Sequence, residues 1–377
     1  MMPSNRREFL QTSAALAGAF ALGGLGRAEA GGAPAAPRGR PLRILILGGT
    51  GFIGPHQVRY ALARGHQITL FNRGQTNPHL FPEVEKLRGD RDGDLESLKG
   101  REWDVVIDNS ASIPRWVRDS AQLLKDSAGQ YIYISTLSVY QGFPEHGMDE
   151  TAPVRELADP MVEEVSSRTY GGRKVLCERE AQRAFPGRAT VLRPGLIVGP
   201  GDRTDRWTYW PVRIARGGEV LAPGDPPRLV RYIDARDVSE WCVRLAEEDV
   251  TGTYNTVGPR SHLSMAEMLY GVRAVVSNEI SFTWVAEGFL AEQGIRAWSD
   301  MPAWLPQEGN EGYGSVSRDR AIANGLTFRP LAVTARETLA WWSALPEERR
   351  SNPRAGLPSE REKEVLAAWH TSGEGDG

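Results

Sequence analysis

From residue 42 onward the hydrophobic pattern switches between two periods. Short apolar runs at residues 44–47, 67–71, 105–107, 131–134 and 189–192 read as strands. Between them lie longer stretches with helical spacing, one opening after Gly54 and stopping near Ala63-Arg64-Gly65, another around 173–184. Pro55 is tolerated in the first of these because first-turn N–H groups have no partner within the helix. Apolar strands alternating with helices predict an α/β fold with a parallel sheet covered on both faces. Over about 200–350 the pattern is less regular and rich in tryptophan, those at 207, 210, 284, 298, 304, 341 and 342 among them. Ser264-Met265-Ala266-Glu267 and Thr334-Ala335-Arg336-Glu337 read as capping boxes, each predicting a helix start. No internal repeat is present, and residues 346–377 read as a C-terminal tail, polar and coreless from about Thr371.

The turn after the first strand, Gly48-Gly49-Thr50-Gly51-Phe52-Ile53-Gly54, carries candidate chemistry. Gly48 permits a tight turn, Gly51 lets the backbone close on a pyrophosphate, and Gly54 lets the helix approach the sheet. The N–H groups of the helix start then face phosphate oxygens. Thr50, Phe52 and Ile53 complete this dinucleotide-binding turn. The second strand ends Phe71-Asn72-Arg73-Gly74. An acid there would take ribose hydroxyls, whereas Asn72 beside Arg73 favours the 2′-phosphate of NADP over NAD. Asp90 and Arg91, after the third strand, are candidates for the adenine, with a turn role for Asp90 as the alternative.

Tyr170 and Lys174 are four apart and so share one helix face. A phenol with a pKa near 10 is a poor base, and lowering it by about three units takes roughly 4 kcal/mol. A neighbouring ammonium and a cationic nicotinamide ring would supply that. The chain has only five lysines, so the spacing is informative. Thr136, in Ser135-Thr136-Leu137-Ser138 at the end of a strand, offers a hydroxyl at the sheet's carboxyl edge, with turn capping as the alternative.

Composition narrows the reading. A formal charge of −3 over 377 residues, without a basic stripe, argues against a nucleic-acid or membrane partner. Cys177 and Cys242 read as buried free thiols, and the six histidines show no metal spacing, so no metal is expected. Ser4-Asn5-Arg6-Arg7-Glu8-Phe9-Leu10, a short apolar stretch and Ala28-Glu29-Ala30 read as a signal peptide over residues 1–30, followed by a linker over 31–41. The arginine pair resembles a twin-arginine export signal. That pathway carries folded proteins, which implies a periplasmic or exported protein with a tightly bound, internally recycled cofactor and no stable membrane association after cleavage. A misread signal would leave it in the cytoplasm.

Further motifs follow in order: Thr136 with Tyr140, Tyr170/Lys174, Arg193-Pro194-Gly195 through Gly199-Pro200-Gly201, and Tyr232-Ile233-Asp234-Ala235-Arg236-Asp237. Together they resemble the extended short-chain dehydrogenase/reductase family, the NAD(P)-dependent epimerase/dehydratase group. The resemblance implies a Rossmann-type doubly wound parallel sheet over mainly 42–195 and a smaller C-terminal substrate-binding lobe over mainly 196–345. Thr136 and Tyr170 would bracket the reacting oxygen, Lys174 would hold the nicotinamide ribose, and Pro194 would lie near the nicotinamide. Trp207, Tyr209 and Arg231 are candidate substrate contacts, with packing of the lobe as the alternative for the aromatics.

Leu137 and Ser138 replace the Asp-Glu pair of the family's dehydratases, which disfavours sugar dehydration. Val230 stands where nucleotide-sugar epimerases carry an arginine, which puts a UDP-sugar in doubt. The expectation is an epimerase or oxidoreductase acting on a secondary alcohol or ketone of a sugar-like small molecule, with a homodimer left open. Its alternatives are an NADP-dependent ketone or enone reductase of a small aromatic or glycosylated molecule, and a dinucleotide-sensing or RNA-binding protein on the same fold.

Overall fold

The computed structural model describes residues 39–109 and 111–373; the signal-peptide reading and nearly all of the linker fall outside them. Seven strands form a parallel sheet: β1 (Arg43–Leu47), β2 (Gln67–Asn72), β3 (Glu85–Arg88), β4 (Trp103–Asp108), β5 (Ala128–Ile134), β6 (Ala189–Pro194) and Gly252–Thr256. Their order across the sheet is β3-β2-β1-β4-β5-β6 and then Gly252–Thr256. Ile44 and Ile46 face one layer, with Val58 and Ala61 of α1 (Gly54–Ala63) and Val238 and Trp241 of the helix Ala235–Glu247. Leu45 and Leu47 face the other, with Val117 and Ala121 of α2 (Pro114–Leu124) and Cys177 and Ala181 of α3 (Tyr170–Ala184). Both cysteines are buried free thiols. Such a doubly covered sheet explains why its strands read as unbroken apolar runs. Reversal of strand order beside β1 opens a crevice at the carboxyl ends, where α/β sheets bind ligands.

A second core forms the lobe, around the buried Trp207, Trp210, Trp304, Leu221 and Leu269. Ser264 makes the reciprocal capping box with Glu267 at the start of the helix Met265–Arg273. Thr334 does not cap a helix. The helix Leu331–Ser343 begins after Pro330, Thr334 lies inside it donating to Asp234 at 2.7 Å, and Glu337 pairs with Arg236. Pro330 takes the cap position that the local motif suggested four residues later.

The tail reading over 346–377 is also corrected. Two helices, Glu347–Ser351 and Ser359–Ser372, lie there, and Val365, Leu366 and Trp369 are buried in the lobe core. Glu362, itself buried, accepts from the Leu221 amide at 3.1 Å and from Arg213 at 2.5 Å. A charged surface face masked the three apolar positions in the sequence.

Candidate functional site

The glycine turn is shaped for a ligand. Gly48 has φ +94 and donates to Phe71 O at 3.0 Å, which folds the chain sharply off β1. A Cβ at Gly54 would lie 2.5 Å from the Gly49 backbone, so only glycine brings α1 this close to the sheet. At Gly51 a Cβ would meet only Gly48 O, at 3.8 Å, and would project into an open groove. Ile53 caps α1 without a side-chain hydrogen bond; Pro55 has no N–H and the His56 N–H donates to Ile53 O at 3.1 Å, so the Gly54 N–H is the first-turn donor left for an anion. Asn77 ties Thr50 O at 3.0 Å.

The groove runs from this turn over the ends of β2 and β3, a cavity of about 260 Å³ lined by Thr50, Asn72, Arg73, Asp90, Arg91, Trp116 and Arg203 among others. Asn72 accepts from the Gly74 amide at 2.8 Å, while its Nδ2 is buried without a partner. Arg73 is exposed and stands 3.9 Å from Asp90. Arg91 is different. Its guanidinium grips Asp108 with two bonds of 2.5 Å and Ser120 with one of 3.1 Å, and Tyr131 donates to the same carboxylate at 2.7 Å. Burial pushes the Asp108 carboxyl up, but the Arg91 charge and hydrogen bonds win and hold it below the usual range. Arg91 thus fastens the floor of the groove, its hydrogen bonds turned inward to Asp108 and Ser120 instead of outward to an adenine. The open turn, the unpartnered Asn72 amide and the exposed Arg73 fit a dinucleotide with its adenosine end over β2.

At the other end, Thr136 follows β5 and Tyr170 is the first residue of α3. Thr136 accepts from the Ser138 amide at 3.1 Å. Burial raises the Tyr170 pKa and a hydrogen bond with Thr136 opposes the rise. One turn along, the buried Lys174 donates to the carbonyls of Ile134 at 2.7 Å and Ala111 at 2.9 Å. Its ammonium stands 4.2 Å from the centre of the Tyr133 ring. Burial lowers its pKa to about 8. An ammonium has three donors, so one remains for a ribose hydroxyl.

A buried network fastens the loop that carries Thr136. Ser135 donates to Glu178, which receives Arg193 at 2.7 and 3.0 Å, and Arg193 reaches Tyr140 at 3.0 Å. Tyr140 in turn donates to Asn255 at 2.7 Å. Ser135, Tyr140 and Arg193 stood in motifs of the sequence, but their linking partners Glu178 and Asn255 did not, because the network joins four separate elements.

Thr136, Tyr170 and Pro194 share a cleft of about 910 Å³ between sheet and lobe, with Phe52, Phe143, Arg206, Arg231, Trp298 and Tyr313 also on its walls. Trp207 and Tyr209 lie elsewhere. Trp207 is fully buried against Tyr232 and Tyr209 packs on Trp210 and Gly356, so both belong to the lobe core. Arg231 does reach the cleft, because the strand Leu229–Asp234 turns Val230 into the lobe core and Arg231 the other way. Its guanidinium lies 3.9 Å from the Tyr313 ring centre and 4.3 Å from that of Phe143, donates to Tyr313 O, and leaves Nε without a partner. Burial lowers its pKa to about 10. Trp298 adopts φ +68 with Arg206 5.3 Å above its ring. For a bulky residue that backbone is strained, and such strain collects at ligand sites.

The model of the family described as NAD dependent epimerase/dehydratase matches residues 44–257, more than half of the chain. The chain belongs to that family. Among curated relatives it is 31% identical over 216 residues to a 2-alkyl-3-oxoalkanoate reductase of Stenotrophomonas maltophilia. The match covers 51% of this chain and 62% of that protein, so the chain spans less than two thirds of the relative's length. Among solved structures, the Bordetella bronchiseptica enzyme WbmH in complex with NAD+ superposes with a TM-score of 0.58 at 17% identity, covering 81% of this chain and 99% of that one. Human epimerase family protein SDR39U1 with NADPH gives 0.53 at 19% identity, covering 79% and 99%. Likeness at that level shows the shared fold.

Within this epimerase/dehydratase frame, the residues that sequence reasoning missed are Asp108, Phe143, Arg203, Arg206, Trp298 and Tyr313. Trp298 stood out in the sequence only as one tryptophan among several. The two arginines lie a few residues beyond Gly199-Pro200-Gly201, a spacing that could have drawn attention to them.

Proposed function

We propose that the protein is an NAD(P)-dependent epimerase or oxidoreductase acting on a secondary alcohol or ketone of a sugar-like small molecule. The observation that carries this reading is the meeting of Thr136 and Tyr170 in the large cleft, with Lys174 one turn along α3, buried and bonded to the carbonyl of Ile134 just before Ser135-Thr136. A nicotinamide held over the cleft would supply the hydride acceptor and donor. Thr136 holds the substrate oxygen, and Tyr170 takes its proton as the carbinol carbon is oxidised and returns it on reduction. Lys174 would keep a positive charge at the ribose end, and the Arg206 charge on the cleft wall favours the phenolate. Leu137 and Ser138 offer no carboxyl group for eliminating water, which supports redox or epimerisation over dehydration.

Arg73 supports NADP over NAD, since its exposed fork can take a 2′-phosphate. The export signal read in the first thirty residues supports a periplasmic protein that keeps its cofactor and regenerates it within each cycle. A second reading, a reductase of a small aromatic molecule, is favoured by Phe143, Trp298 and Tyr313 on the cleft walls. Tyr170→Phe separates catalysis from binding: turnover should collapse while nucleotide stays bound. Undiminished turnover in that variant would sink the mechanism.

A further inference from the structure

One arginine borders three cavities. Arg203 lines the dinucleotide groove, the substrate cleft, and a third cavity of about 500 Å³ on the outer side of the glycine turn. Its side chain makes no hydrogen bond or ion pair among the described residues, and its backbone carbonyl is held by Arg354 at 2.6 Å. A solvated surface arginine would need no such support.

The loop that bears it, residues 199–206, rests on the start of α1. His56 contacts Pro200 O at 3.3 Å, and a Cβ on Gly201 would sit 3.5 Å from the Phe52 ring. Asp202 braces the loop from inside, accepting from the Thr204 amide and hydroxyl at 2.8 Å each and from Thr208 at 3.2 Å. Asp205 braces it from outside. Buried at φ +58, it receives Arg349 at 2.5 Å and the Arg354 amide at 2.8 Å. Those two arginines belong to the C-terminal segment, beyond the stretch matched by the family model. The groove's other arginines are engaged elsewhere along it: Arg73 lies at the end of β2, and Arg91 is locked to Asp108. The turn itself offers the diphosphate bridge no full charge, only backbone N–H groups, the Thr50 hydroxyl and the partial charge of a helix start.

Resting on the cofactor reading above, we propose that Arg203 closes over the diphosphate bridge of the bound dinucleotide, and that the C-terminal segment positions it through Asp205 and Arg354. The loop then acts as a clasp from the lobe side. A full guanidinium charge on a dianionic bridge makes a charge-assisted contact stronger than any neutral N–H can. Such a clasp slows release of the nucleotide, as a cofactor recycled in place requires.

The test measures the release rate of NADPH or NADH from the full-length protein by fluorescence after a chase with excess unlabelled nucleotide. Arg203→Ala should release at least about tenfold faster, since a hydrogen bond to a charged group is worth that much or more. Its rate should also respond less to added salt than the wild-type rate does. Arg203→Lys should fall between them, and Arg354→Ala should speed release by a smaller factor. Arg203 is exposed, so its substitutions leave the core intact. Release within twofold of wild type in Arg203→Ala overturns the clasp. Equal acceleration by Ala and Lys with unchanged salt response also overturns it, because the role would then be one of shape. An unchanged rate in Arg354→Ala refutes positioning by the C-terminal segment. Wild-type protein that binds neither nucleotide would instead refute the cofactor reading beneath it.

Discussion

Asp108→Asn removes one charge and almost no volume from the floor of the groove. The wild-type carboxylate is fully buried, takes two bonds of 2.5 Å from Arg91 and one of 2.7 Å from Tyr131, and supports the Lys174 charge. The substitution leaves the Arg91 guanidinium, itself 8% exposed, without a counter-charge. Breaking a buried pair from one side costs about 3–5 kcal/mol, whereas replacing both partners with apolar groups of similar size costs far less. Urea unfolding of wild type, Asp108→Asn, Arg91→Met and the double variant Arg91→Met/Asp108→Leu should show this, the double variant losing less than the sum of the singles. The pH dependence is fixed by the direction of the shift. The folded carboxyl titrates below its ordinary 3.8, so the wild-type advantage is full above that value and closes as pH falls through the lower folded one. A loss under about 1 kcal/mol at pH 7, on the scale of an exposed pair, would refute the assignment of Arg91 and Asp108 as the lock of this groove.

Tyr170→Phe should lower kcat by about 10²–10⁴-fold, the usual worth of a positioned acid or base, in steady-state kinetics with nucleotide content unchanged. Arg73→Asp should turn the preference from NADP towards NAD, read as a ratio of dissociation constants. Lys174 has a folded pKa of about 8 against an ordinary 10.5, so the nucleotide-free protein should gain stability as pH climbs between those values; Lys174→Met should lack that gain in urea midpoints. Trp369→Ala should cost about 3–5 kcal/mol as a large core truncation, in contrast to the near-zero effect of a residue in an unstructured tail.

The sheet was legible because its strands are buried on both faces and therefore read as continuous apolar runs. Tyr170 and Lys174 were legible for another local reason, a four-residue spacing on one helix with very few lysines elsewhere. What escaped was decided across the chain. Arg91 looked like a hand for adenine because nothing near it in sequence announces Asp108, 17 residues away, as its partner. Alternation along a strand told that positions 230 and 231 face opposite ways, but only the packed lobe says which one meets the cleft. Trp207 and Trp298 are the same residue type in the same irregular region, yet one fills the lobe core and the other walls the site. The helix Ser359–Ser372 hid behind its charged face.

Retention of the cofactor is the claim that joins the export reading, internal recycling of the hydride and the Arg203 clasp. The direct measurement is to purify the protein without added nucleotide, denature it, and identify and quantify what is released by mass and absorbance. Near-stoichiometric NADP(H) is the predicted result, with the 2′-phosphate assigned to Arg73. Protein that emerges empty would contradict retention, and protein that stays empty after incubation with NADP(H) and NAD(H) would contradict the cofactor reading itself.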